Sequence, residues 1–169
     1  MSRKTKSQSE LEYANLLAVG LSNVLNDKFL AKIAIEGTDH DTIITDSKGD
    51  DIFIQNTTTH GESLMQANVN SMMLKKGAKF LPAFPVRYEH WIRLAIQKKH
   101  DRKYSNQESL ILLLEGSIPS PEPERVSKLA GKIETPFLGI YYVSFPNSYQ
   151  PAYIVAIKKF WKTPTIFKP

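Results

Sequence analysis

The sequence predicts an α/β fold in which a mixed central sheet, built from an antiparallel meander and a buried strand, is flanked by helices. Three observations carry this prediction. Apolar residues recur at helical spacing between Ala14 and Leu25. Turn residues at positions 46–49 separate two short strand-like segments. A continuous apolar run at 109–114 is typical of a strand covered on both faces.

The first half of the chain supplies the first helix and the meander. Ser9 and Glu12 fit a Ser-x-x-Glu capping box, which predicts a helix over residues 11–25. Strands are expected at 29–35, 42–45 and 51–55, and Gly49 can take the positive φ of the hairpin turn.

Two further helices are expected before the buried strand. One covers residues 62–74 and ends near Gly77, and an extended, proline-broken segment follows at 80–85. The other covers 87–99, with Trp91, Leu94 and Ala95 facing inward.

The second half supplies the rest of the sheet. Residues 109–114 predict the buried strand, 125–130 a short helix, and 139–145 and 153–157 two more strands. Tyr141 and Tyr142 are expected to alternate between core and surface. The tail from Thr163 is proline-flanked, which predicts irregular structure.

Length and composition indicate one domain over residues 1–169, with 1–8 and 163–169 frayed or irregular. The chain has no cysteine, which excludes disulfides, thiolate zinc sites and cysteine nucleophiles. No apolar run approaches the ~20 residues that span a membrane, and the basic N-terminus is not followed by a signal-peptide core. We therefore expect a cytoplasmic protein without a membrane partner. GxxxxGK[ST], GxSxG and HExxH motifs are absent.

Charge is unevenly distributed along the chain. Residues 36–55 carry a net charge of −5, so the rest carries +10 within a total of +5. A basic body around an acidic segment suits a polyanion and a metal site, although solubility alone also explains surface lysines. Lys98, Lys99, Arg102 and Lys103 form a candidate phosphate-binding patch, and cations there also complement a helix dipole. DNA is the expected binding partner. The sequence is also compatible with a homodimer.

A pattern of polar residues runs through the first helix and the meander. A glutamate lies on the helix, where Glu12 is the candidate and Glu10 could replace it. Asp41 opens the second strand, and Phe53-Ile54-Gln55 lies on the third. This order resembles the core of the PD-(D/E)XK nuclease superfamily. The resemblance implies a restriction-endonuclease-like fold and Mg²⁺-dependent hydrolysis of DNA phosphodiester bonds, with Glu12, Asp41 and Gln55 as catalytic residues.

The chain departs from the family pattern on the third strand. Phe53 stands where a carboxylate is usual, and Gln55 stands where a lysine is usual. Asp51, on the same strand face, could replace the lost ligand, so that Asp41 and Asp51 would hold Mg²⁺. Three hypotheses remain: an active enzyme with a migrated ligand, an inactive module of the same fold that binds nucleic acid or protein, and a structural protein whose charge serves solubility. The sequence leaves open activity, substrate, oligomeric state and pathway.

Overall fold

Seven strands form one mixed sheet whose spatial order follows the order of the chain, β1 to β7. The structure, a computed structural model, describes residues 5–59, 71–77, 88–102, 104, 106–116 and 120–169. The strands are β1 Leu30–Ile33, β2 Thr42–Thr45, β3 Asp51–Thr58, β4 Leu110–Glu115, β5 Gly139–Ser144, β6 Tyr153–Lys158 and β7 Ile166–Phe167. The helices are α1 Lys6–Leu25, α2 Tyr88–His100 and α3 Pro123–Ser127, and Gln107–Ser109 form a 3₁₀ turn.

The pairing confirms the expected meander and the buried strand beside it. β1, β2 and β3 pair antiparallel, with Thr42 opposite Ile54 and Thr45 opposite Asp51. β4 then pairs parallel to β3, and β5 parallel to β4. β6 and β7 return antiparallel. Every residue of β4 is buried, as a continuous apolar run predicts.

Helices cover both faces of the sheet, so the protein has three layers. On one face, α1 packs Leu17 and Leu21 against Ile54, Ile111 and Tyr141. The other face carries α2 and α3, whose buried side chains pack with the following strand residues: Leu112, Leu114, Ile140, Tyr142, Tyr153 and Val155. Burying a leucine as completely as Leu17 or Leu21 contributes about 2 kcal/mol.

The first helix begins earlier than the sequence predicted. Thr5 is the N-cap: its Oγ1 accepts from the Gln8 N–H at 3.3 Å, and Gln8 Oε1 accepts from the Thr5 N–H at 2.9 Å. The capping box predicted at Ser9 and Glu12 is therefore wrong, because Thr5 and Gln8 form the box and the helix begins at Lys6, five residues before position 11. The extra turn carries Glu10 to the end of the sheet.

Three other predictions are corrected by tertiary packing. α2 buries Ile92 and Ile96, not Leu94, which is 44% exposed. Tyr141 and Tyr142 are both buried, because both faces of β5 are covered. The tail, expected to be irregular, forms β7 through its pairing with β6.

Part of the predicted middle region lies outside the described residues, namely 62–70 of the expected helix and the extended segment at 80–85. Residues 71–75 are helical, and Gly77, two residues after the end of this segment, takes a φ of +77°. Among the helices described, none is long and apolar enough to cross a bilayer.

Candidate functional site

The carboxyl ends of β3 and β4 lie side by side, because the parallel register aligns Asn56 with Leu113 and Thr58 with Glu115. The start of β2 reaches the same place, since the Asp41 N–H donates to Ile54 O at 2.9 Å. The first turns of α1 complete the group. Polar residues from four elements, distant in sequence, thus meet at one end of the sheet.

Asn56 connects these elements through hydrogen bonds. Its buried side chain donates from Nδ2 to Glu115 Oε1 at 3.1 Å and to Glu10 O at 3.2 Å. Its Oδ1 accepts from Thr42 Oγ1 at 3.0 Å. Its backbone N–H donates to Asp41 Oδ2 at 2.9 Å. A buried amide bonded on all sides fixes the positions of its neighbours.

Asp41 is held by two donors on the same oxygen. Gln55 Nε2 and the Asn56 N–H both donate to Oδ2. These two donors fix the orientation of the carboxylate. The structure therefore brings together Asp41 and Gln55, two of the three catalytic residues that the resemblance implies.

Two glutamates beside Asp41 have perturbed acidity. Burial raises the pKa of Glu115 to about 7, and the negative charges of Glu10 and Asp41 add to this, while the bond from Asn56 opposes it. Burial also raises the pKa of Glu10, reinforced by Asp41 and opposed by Lys6, whose Nζ lies 3.2 Å from Glu10 Oε1. Burial is the larger cause for both glutamates, and the clustered negative charge that adds to it also favours a nearby cation, as Lys6 beside Glu10 illustrates.

A cavity of about 380 Å³ opens beside these glutamates, and it is referred to below as the cleft. Its charged lining consists of Lys6, Glu10, Lys98, Lys99, Arg102 and Glu115. Three of the four cations predicted to contact phosphate thus face the carboxylates, and Lys103 lies outside the described residues. Lys99 is only 8% exposed and stands 5.9 Å over the ring of Tyr104.

Carboxylate oxygens are the kind of ligand that hard divalent cations prefer. Among the described residues, no group of three His, Cys, Asp or Glu side chains could hold one ion. Magnesium commonly binds through one or two carboxylates and several waters, so the residues that would hold it here are two of Glu10, Asp41 and Glu115.

The structure places two predicted site residues elsewhere. Asp51 lies opposite Thr45, about 13 Å along the hairpin from Asp41, because four residues of strand separate them. There its carboxylate pairs with Lys32 Nζ at 3.2 Å, and hydrogen bonds from Thr45 and then Lys32 lower its pKa. One ion cannot bridge Asp41 and Asp51. On α1, Glu10 lines the cleft, whereas Glu12 is not among its lining residues.

Sequence reasoning missed Asn56 and Glu115. Glu115 follows five apolar residues of β4 and was treated as the boundary of the strand, although it is buried. A carboxylate directly after a fully apolar strand is the signal that could have identified it. The strand predicted at 51–55 stops one residue before Asn56, but β3 continues through Asn56 to Thr58.

A second cavity, of about 350 Å³, is lined by His40, the residue that precedes Asp41 in the chain. His40 and Phe53 form its aromatic wall, with ring centroids 4.5 Å apart and planes inclined by 39°. We call it the aromatic cavity. Phe53, which replaces the expected carboxylate, thus lines a cavity of its own.

Comparisons with known protein families, with curated proteins and with solved structures find no match for this chain.

Proposed function

We propose that the chain is a Mg²⁺-dependent phosphodiesterase of the restriction-endonuclease-like type that acts on DNA. The observation that carries the proposal is the meeting of buried carboxylates and cationic side chains in one cleft. Glu10 and Glu115 supply negative charge there, and Lys98, Lys99 and Arg102 supply positive charge within the same volume. Phosphodiester hydrolysis needs both, one set for a metal and one for the phosphate.

The order of elements supports the proposal. A helix bearing a cleft glutamate precedes a three-strand meander, and an aspartate stands directly before the second strand of that meander. A buried strand follows next to the third. This is the order on which the resemblance to the PD-(D/E)XK superfamily rests. The migrated ligand is then Glu115 on β4 rather than Asp51.

In this mechanism the lysines and the arginine bind and orient the phosphate. Lys98 and Arg102 are exposed and can contact an incoming backbone, whereas Lys99 is buried, where its charge is less screened. Gln55 and Asn56 keep Asp41 oriented. A bound Mg²⁺ would activate a water molecule and offset charge on the phosphate.

The second candidate is a binding module of the same fold without catalysis. Phe53 favours it, because the phenyl ring removes one ligand and one negative charge from the third strand. The basic side chains of the cleft would then bind phosphate, and the carboxylates would serve only to orient them.

The test incubates the protein with single- and double-stranded DNA in Mg²⁺ or Mn²⁺. We expect cleavage by the wild type and a loss of at least 100-fold in Asp41→Asn, because this change removes a ligating charge at nearly constant shape. Asp50→Asn, on the exposed hairpin, is the matched control and should retain full activity.

Cleavage that persists in Asp41→Asn would show that the proposed site is wrong. If the wild type binds DNA but cleaves it with neither Mg²⁺ nor Mn²⁺, the enzyme proposal is wrong and the second candidate, the binding module, is supported. Absence of both binding and cleavage would favour the third hypothesis, in which the basic charge serves solubility.

A further inference from the structure

The aromatic cavity differs from the cleft in its chemistry. Its aromatic wall is formed by His40 and Phe53, both half-buried, and polar groups of Thr38, Asp39 and Asn106 lie around it. No lysine or arginine is among its described lining residues. The described lining thus offers a phosphate no basic side chain, whereas a flat, uncharged ring with polar edges would find a stacking surface and hydrogen-bonding groups there.

Asp41 connects the aromatic cavity to the cleft. His40, in the aromatic wall, directly precedes Asp41 in the chain. On the other side, the Asn56 N–H donates to Asp41 Oδ2 at 2.9 Å, and Asn56 lines the cleft. The chain neighbour of Asp41 thus lines the aromatic cavity, and a hydrogen-bond partner of Asp41 lines the cleft.

We infer that the aromatic cavity takes an unpaired nucleobase by stacking on Phe53 and His40, while the cleft holds the neighbouring phosphate. The inference rests on the proposed function for the phosphate and adds the substrate class, namely single-stranded nucleic acid or nucleotides displaced from a duplex. A base inside a duplex is stacked between its neighbours and cannot enter a side cavity without being extruded.

A titration with adenosine, which has no phosphate, decides the inference independently of the cleft. NMR signals of the His40 ring should shift upfield on addition of adenosine, because a stacked purine shields them. The shift should be lost in Phe53→Leu, which keeps an apolar side chain at that position, and retained in Tyr149→Ala, which removes a 97% exposed tyrosine. No shift in the wild type at saturating nucleoside, or a shift unchanged in Phe53→Leu, would overturn the inference.

Fluorescence anisotropy with chelator present, so that nothing is cleaved, tests the substrate class. His40→Ala should weaken binding of single-stranded DNA about tenfold, within the range for one stacked base, without changing the salt dependence. Binding of the matching duplex should stay as in the wild type. If His40→Ala weakens the binding of single-stranded DNA and of duplex DNA equally, or weakens neither, the assignment to unpaired bases is overturned.

The two experiments separate the inference from the proposed function. A wild type that binds no DNA but shows the adenosine shift would refute the nuclease proposal and leave the base site standing. A wild type that cleaves DNA but shows no adenosine shift would refute the base site and leave the nuclease proposal standing.

Discussion

Asn56 and Glu115 are joined across the parallel pair of β3 and β4 by a hydrogen bond of 3.1 Å from Nδ2 to Oε1. Both side chains are buried. The bond counteracts the burial and the neighbouring charges that raise the pKa of Glu115. This contact holds together the two strand ends from which the candidate site is built.

Replacing Asn56 by leucine should therefore destabilise the protein. The change leaves Glu115 Oε1 and Thr42 Oγ1 without their partner, which costs about 2–3 kcal/mol in the free energy of unfolding. Urea titration measures this. Asn23→Leu, on the exposed side of α1, is the control and should change stability by less than about 0.5 kcal/mol. An equally small effect for Asn56→Leu would mean that the network adds no stability.

Stability should fall as pH rises through neutrality because of Glu115. Its pKa lies at about 7 in the folded state, above the ordinary 4.5, so the folded protein binds this proton more tightly than the unfolded chain. The contribution of Glu115 to the free energy of unfolding amounts to about 3 kcal/mol. It is fully present below pH 4.5 and is lost as pH rises through 7. Glu115→Gln should flatten the profile between pH 5 and 8, and Glu36→Gln should not. Parallel profiles for Glu115→Gln and wild type would contradict this assignment.

Magnesium should stabilise the protein through the same carboxylates. A tenfold excess over Kd adds about 1.4 kcal/mol, and the effect should be larger at pH 8 than at pH 5, where Glu115 holds its proton. Thermal melts with MgCl₂ against NaCl of equal ionic strength measure it. Asp41→Asn should reduce the difference and Asp50→Asn should preserve it. If MgCl₂ stabilises Asp41→Asn and Asp50→Asn equally, magnesium binds at a site that does not include Asp41.

Charge reversal in the cleft should weaken DNA binding for every sequence alike. Lys98→Glu with Arg102→Glu removes two phosphate contacts, so the slope of log K against log salt should become shallower by about 1.5–2. Anisotropy titrations at several salt concentrations test this. Lys128→Glu, exposed and outside the cleft, should have little effect. If Lys128→Glu weakens binding by half as much as the double variant, which is the same loss per reversed charge, net charge rather than the cleft governs binding.

Gly20 sets the distance between α1 and the sheet. A Cβ there would overlap Ile154 Cδ1 and approach Phe167 Cε2 to 3.1 Å and Lys168 O to 3.2 Å. Gly20→Ala should therefore cost about 1–3 kcal/mol from crowding, against a gain of about 1 kcal/mol in helix propensity. Thermal melts compare it with Asn23→Ala, which should be neutral or slightly stabilising. A more stable Gly20→Ala would show that α1 can move away from the sheet.

Local patterns predicted the meander and β4. The turn residues at 46–49 act over a few positions, and a buried parallel strand needs only a continuous apolar run. β7 could not be predicted in this way, because two residues carry no periodicity and its pairing with β6 is tertiary. The start of α1 was predicted wrongly, because Ser9-x-x-Glu12 fits the capping-box pattern although Thr5 and Gln8 form the box in the structure.

The candidate site was predictable only in part. Asp41 and Gln55 belong to one hairpin, so their contact follows from local register. Glu115 comes from a strand far along the chain, and its place depends on which strand β4 joins and in which direction. The prediction that Asp51 binds a metal ion together with Asp41 considered only which strand face Asp51 occupies. It neglected the distance between the two residues along the hairpin.

The chain-ordered sheet has a consequence for how the protein folds. Hairpin pairs such as β2–β3 close over a few residues, whereas β3 and β4 are separated by the longest connection in the sheet, from Thr58 to Leu110. Contacts across long connections form late, because loop closure must precede them. The bond between Asn56 and Glu115 spans that junction. The candidate site should therefore assemble in one of the last folding steps, and a chain arrested before it would contain the hairpins but not the site.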